Sequence, residues 1–158
     1  MAWTTPKTDW ETGALIAASD MNEVGENLAT LKNPATAVYT TTEEITVLHA
    51  PEFADVDGDN LNLSITTAGG DVLVHLHGTG RRRSGDTDCD FDIDVDGNRQ
   101  GGDKGILSTR LYSYYHDLSF THLIQNLSAG NHTFKLQYKT QRDGIRLLGG
   151  AQFWVREI

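Results

Sequence analysis

A chain of 158 residues with 38% apolar residues and 16 glycines suits one ordinary domain with a small appendage, cut by many turns. A formal net charge of −9 and a pI near 4.9 argue against nucleic-acid binding, which needs a basic surface, and one cysteine excludes an intrachain disulfide. No apolar run approaches the ~18 residues needed to cross a bilayer, and the opening Met1-Ala2-Trp3-Thr4-Thr5-Pro6 lacks the basic and apolar regions of a signal peptide.

Residues 1–19 form a polar, Thr-rich arm carrying Trp3 and Trp10. Two indoles on a segment too short for its own core need a surface to lie on, either on the same subunit or on a partner. Asp20 then opens a predicted helix, with Glu23 placed to complete a capping box. Met21, Val24, Leu28 and Leu31 follow at 3-4-3 spacing, and Pro34 ends the run. An isolated helix below ~12–15 residues is marginal in water, so this seam must be covered, by the β domain or by its own copies about a symmetry axis.

From Ala37 the pattern is β throughout. Strands are predicted over 38–42, 44–48, 61–66 and 71–77, with a loop over 78–86. Asp88-Cys89-Asp90-Phe91-Asp92-Ile93-Asp94-Val95-Asp96-Gly97 then alternates strictly between apolar residues and aspartate. Successive side chains on a strand point to opposite faces, so one face belongs in a core. The other carries carboxylates ~7 Å apart, tolerable in water or opposite cations. The expectation is a solvated outer face that deters edge pairing, or one paired across an interface with Arg99, Arg110 or Arg81-Arg82-Arg83 of a neighbour. After a loop over 98–105 come strands over 106–115, 119–126, 133–140 and 152–158. About eight or nine antiparallel strands with no helix-length pattern among them suggest a jelly-roll β-sandwich.

Chemistry-bearing motifs are sparse. His75-Leu76-His77 puts two imidazoles on one side of a strand, as in a cupin-like metal site, yet no glutamate follows where that site needs one. Asp55-Val56-Asp57-Gly58-Asp59-Asn60 resembles the start of a calcium loop, but Thr66 stands where an EF-hand needs glutamate. Turn chemistry explains the same residues. Cys89 belongs on the apolar face of its strand as a small buried hydrophobe. No nucleophile–base or nucleotide-binding fingerprint is present. The chain is expected to be no enzyme and to need no cofactor.

Two parts of the chain resemble known proteins. Met1-Ala2-Trp3-Thr4-Thr5-Pro6, Trp10-x-x-Gly13, Ala17-Ala18-Ser19-Asp20-Met21-Asn22 and Asn27-Leu28-x-x-Leu31 resemble the N-terminal segment of tailed-bacteriophage virion proteins. Gly70-Asp71-Val72-Leu73-Val74, Val95-Asp96-Gly97, the LSAGNHTFKLQY run of 127–138 and the FWVREI run of 153–158 resemble jelly-roll heads of phage fibres and of trimeric tumour-necrosis-factor-like proteins. The resemblance implies a homotrimer assembled in host cytoplasm into a virion. Residues 1–34 would attach to other virion proteins and 35–158 would form the head, with no nucleic-acid partner and no membrane insertion. Trp3, Trp10, Met21, Val24, Leu28 and Leu31 become the attachment and oligomerisation residues. The head would be a fibre or receptor-binding tip meeting a host-surface glycan or protein through loops 78–85 or 98–105. Capsid decoration, a cupin-like metal protein using His75 and His77, and a calcium-assisted carbohydrate-binding module are the alternatives.

Overall fold

The structure is a computed structural model and describes residues 19, 21, 22, 24, 25, 28, 34–85 and 87–158. Twelve strands are formed among them: β1 (Thr36–Thr40), β2 (Ile45–Thr46), β3 (Ala54–Asp55), β4 (Asn62–Thr67), β5 (Gly70–Arg82), β6 (Thr87–Val95), β7 (Asn98–Arg99), β8 (Leu107–Leu111), β9 (His116–Leu127), β10 (Gly130–Thr140), β11 (Ile145–Leu147) and β12 (Gln152–Glu157). They make two antiparallel sheets, a β-sandwich. In the first, β1, β12, β5 and β9 lie side by side, and β11 and β2 extend the sheet past the end of β12. In the second, β10 runs between β6 and the β4/β3 edge, while β6 pairs β8 and β7 on its other side. Along the chain, β1, β5, β9 and β12 enter the first sheet and β4, β6, β8 and β10 the second, the double Greek-key winding of a jelly roll.

Period-2 alternation builds the core. Val72, Val74 and Leu76 of β5 and Phe153 and Val155 of β12 face Cys89, Phe91 and Ile93 of β6 and Phe134 and Leu136 of β10, all fully buried. The expected loop over 78–86 is corrected: β5 continues as strand to Arg82, paired with β9 at Gly78↔Leu118 and Gly80↔His116. Its glycines are there for close packing rather than for a turn. A Cβ on Gly78 would lie 2.7 Å from the Ala151 Cβ, and one on Gly80 2.6 Å from a Leu118 methyl. The strand expected over 106–115 stops at Leu111, and 44–48 reduces to Ile45–Thr46.

Of the N-terminal expectations, Trp3, Trp10, Asp20, Glu23 and Leu31 lie outside the described residues. Met21, Val24 and Leu28 are described in helical conformation, at 58%, 43% and 53% exposure.

Candidate functional site

The aspartate row, the most unusual feature of the sequence, is a scaffold within the subunit. The expectation of a solvated outer face is corrected, because Asp90, Asp92 and Asp94 are buried. β6 is an interior strand, so the strands beside it and the 100–106 segment supply partners for its outer face. Arg110 on β8 grips Asp88 at 2.7 Å, and this hydrogen bond, more than the charges of Lys104 and Arg142, holds the Asp88 carboxyl below its ordinary range. Asp90 accepts from Ser108 at 2.6 Å and faces the Lys139 ammonium at 3.4 Å. Asp92 accepts from the Gly101 and Ile93 amides, both at 2.8 Å. The Arg99 Nε lies 3.2 Å from its other oxygen, off the line a hydrogen bond requires, so that contact is an ion pair. Arg99 and Lys139 also approach the Phe53 ring at 3.9 and 4.7 Å. Segment 98–105 is therefore pinned to β6, with Lys139 donating to the Asp103 carbonyl and Arg99 to the Gly102 carbonyl at 2.8 Å.

At the end of the row, Asp96 takes His132 Nδ1 at 2.6 Å and the Thr133 amide at 2.8 Å, tying the β6–β7 turn to β10. This pair raises the His132 pKa and lowers that of Asp96, in both cases chiefly through their mutual hydrogen bond. The His132 contribution is full below its unfolded pKa of ~6.5 and is lost as pH rises through the raised value. The Asp96 contribution is present above ~3.9 and fades as pH falls through the lowered value. His132→Ala should therefore cost about 1 kcal/mol near pH 5.5 and measurably less near pH 9, read from urea unfolding at the two pH values. The figure sits low because the Asp96 side chain is 42% exposed and screened by water.

His75 and His77 lie on the outer face of the first sheet, ring centroids 6.5 Å apart. His75 also meets Trp154 at 5.1 Å and shares a 2.8 Å hydrogen bond with Thr121. Desolvation, followed by the neighbouring His77, lowers the His75 pKa, which favours the neutral ring. Among the described residues no group of three or more His, Cys, Asp or Glu converges to hold a metal. The Asp57 carboxylate is occupied by its own turn, accepting from the Asp59 and Asn60 amides at 3.1 Å and from Asn60 Nδ2 at 3.0 Å. Cys89 is fully buried, and burial, with a smaller push from Asp90, drives its thiol pKa far up, which keeps it protonated.

Val38, Trp154, His75 and Thr121 stand in register across β1, β12, β5 and β9. Val38 is 60% exposed and Leu123, paired with Leu73, is 41% exposed. On this face the apolar Val38, Trp154, Leu73 and Leu123 stand among the polar Thr36, Thr40, Gln152, Arg156, His77 and Ser119.

The remaining concentration of chemistry is at one end of the sandwich. The Arg82 amide donates to the Tyr112 carbonyl at 3.2 Å, the Arg83 amide to Gly144 at 2.9 Å, and the Gln141 amide to Asp88 at 3.3 Å. These bonds bring segments 83–85, 112–115 and 141–144 together. Arg81, Arg82, Arg83, Arg110, Arg142 and Arg146 lie on these segments and the strands leading into them, interleaved with Glu44, Asp88 and Asp143. Tyr112 and Tyr114 stack at 5.6 Å, nearly parallel, and Tyr114 meets the His116 ring at 4.4 Å. The Arg81 guanidinium covers Tyr115 at 4.7 Å. Tyr114 remains 62% exposed. A polar pocket of about 290 Å³ is lined, among the described residues, by Asp88, Arg110, Gln141 and Arg142. Sequence reasoning placed Tyr112 and Tyr114 in a strand and passed over Arg142. The available signal was the run Tyr112-Ser113-Tyr114-Tyr115-His116, aromatic-dense where β8 has run out of core partners.

Among the described residues no helix is long and apolar enough to cross a membrane. A scan against protein-family models and a search of curated proteins each found no match. Solved structures do resemble the sandwich. Eiger TNF from S. frugiperda aligns at TM-score 0.45 and 13% identity, over 80% of this chain and 94% of that one. A pentameric capsid protein isolated from metagenomic phage sequences aligns at TM-score 0.29 and 15% identity, over 96% and 89%. Superpositions that loose carry no argument. A chain in the structure of infectious bursal disease virus, Gx strain, aligns at TM-score 0.55 and 10% identity, over 79% of this chain. The match spans about a third (32%) of the viral chain's length, and at that identity the two share a fold and nothing more.

Proposed function

We propose that the chain is a non-enzymatic structural protein of a bacteriophage virion, a homotrimer displaying its sandwich as a fibre head or receptor-binding tip. Residues 1–34 attach it to other virion proteins, with Trp3 and Trp10 anchoring the arm. Met21, Val24, Leu28 and Leu31 form the seam between subunits.

The observation that carries this reading is the sheet face running from Val38 through Trp154 and His75 to Leu123. Val38, Trp154, Leu73 and Leu123, apolar side chains on the outer face of four strands, favour burial against another surface. The histidines and Thr121 of this face supply polar contacts of the sort a subunit interface uses at its margin. The exposed Met21, Val24 and Leu28 add a second apolar surface in need of a partner. The phage setting rests on the resemblance of the N-terminal segment, and the jelly-roll winding is a fold shared with a viral chain.

The test is native mass by light scattering on the full chain. Three times 17.4 kDa is expected, falling to a single subunit in Val38→Glu, which places a charge on an exposed position and spares the core. A monomeric wild-type chain removes the proposal. Capsid decoration would use the same parts, and binding to purified capsids rather than to host cells separates it from a receptor tip.

A further inference from the structure

We infer that His75 and His77 make assembly of the head acid-sensitive: neutral rings lie in the contact between copies, and their protonation below about pH 6 drives the copies apart. The switch regulates the sheet face already proposed as the subunit contact and rests on that reading.

Placement is the first ground. His75 pairs Trp154 on one side and Thr121 on the other, and His77 pairs Gln152 and Ser119. Val38 and Trp154 stand to one side of β5 and Leu123 to the other, so a copy that covers both sides covers the imidazoles between them. Around a threefold axis this face of each copy turns toward the same face of the others, and like charges on it are brought together.

The second ground is the lack of counter-charge. The two rings are 6.5 Å apart, and neither has an ion pair among the described residues. β1 brings Thr36, Val38 and Thr40 to the face, none of them charged. β12 brings Arg156, which has the same sign as an imidazolium. Asp117 of β9 pairs Thr79, two positions or ~7 Å beyond His77 along the sheet. Farther on, Glu44 is taken by Arg81 and Arg146.

The third ground is confinement. Thr121 holds His75 Nδ1 at 2.8 Å and Trp154 lies 5.1 Å from the ring, so His75 is not free to swing out into water when it gains a proton. Desolvation, followed by the nearby His77, already lowers its pKa in the single chain, and cover by a copy removes more water. A group whose pKa is lower in the assembled state than in the free one adds stability above its free pKa. That stability is lost as pH falls through this value. Each ring held neutral weakens assembly by up to about tenfold per pH unit, and three copies multiply the effect.

The experiment is light scattering and sedimentation velocity on the full chain at pH 7.5 and 5.0, with His75→Gln, His77→Gln and the double variant. Glutamine keeps a polar side chain that does not titrate. The wild-type trimer should dissociate on the order of 100-fold or more easily at pH 5.0, giving single subunits with unchanged near-UV circular dichroism. The His132–Asp96 pair does not confuse the readout, because the His132 contribution is full at pH 5.0 and that of Asp96 fades only in stronger acid. The double variant should stay trimeric at both pH values, with a change below about threefold. If it fails to assemble at pH 7.5, His77→Gln decides, since that exposed position should shrink the acid response at least about threefold. An undiminished response in the variants, or tighter wild-type assembly at pH 5.0, would overturn the switch. A wild-type trimer indifferent to pH sinks the switch and leaves the virion reading standing, whereas a chain monomeric at pH 7.5 removes both.

Discussion

Asp92→Ala should destabilise the head by about 3–5 kcal/mol, the cost of leaving two backbone amides without their acceptor and a partly exposed arginine without its counter-charge. The Asp92 side chain is fully buried, so water does not replace it. Its removal leaves the Gly101 and Ile93 amides without their acceptor and Arg99 without its counter-charge. Arg99 has little freedom to swing away, because the Phe53 ring and the Gly102 carbonyl hold it. Urea unfolding reads the effect as a midpoint lower by about 2 M at unchanged slope. Asp92→Asn keeps an acceptor for Gly101 while losing the charge, and should cost about 1–2 kcal/mol. A loss below about 1 kcal/mol for the alanine variant would mean that the carboxylate is solvated, as alternation alone suggests.

Phe91→Ala should cost a similar 3–5 kcal/mol for a different reason. Phe91 is the immediate neighbour of Asp92 on β6 and points to the other face, where it is fully buried among Leu107, Tyr138 and the facing sheet. Its truncation loses transfer energy and leaves a void that rigid strands close poorly. Phe91→Leu retains most of the volume and should cost about 1–1.5 kcal/mol. Thermal and urea melts of the four single variants, compared with the double variant Phe91→Ala/Asp92→Ala, check both predictions together. A domain stable by 5–15 kcal/mol has little reserve after two such losses, so the double variant should be largely unfolded at 37 °C. A double variant that folds normally would show that one of the two faces is not buried.

The contrast between these neighbours marks what alternation can and cannot tell. Cys89, Phe91, Ile93 and Val95 were legible as a core face because period 2 is a local property of extended chain. The state of the aspartates between them was not, because it depends on what packs over the second face. Here that is Arg110 from β8, Lys139 from β10, Phe53 from the approach to β3 and the 100–106 segment, residues separated from β6 by up to some fifty positions. The same limit explains Gly78 and Gly80. Glycine reads locally as a turn, and only the nearness of Ala151 and Leu118 reveals it as a packing requirement.

What the sequence determined by itself was the class of structure: a β-sandwich whose strands show in their alternation, with turns at Asp96-Gly97 and Ser128-Ala129-Gly130. The hydrophobic period and the positive φ of Asp96 and Gly97 are properties of short stretches, so no fold is needed to read them. Tertiary structure alone decided that the acidic face is covered, that His75 stands beside Trp154, that Arg81 of β5 covers Tyr115, and that Arg110 of β8 and Arg142 of the β10–β11 connection line one pocket with Asp88. Each of these is a meeting of side chains far apart in the chain, set by strand order and register, and no local pattern encodes which strands become neighbours.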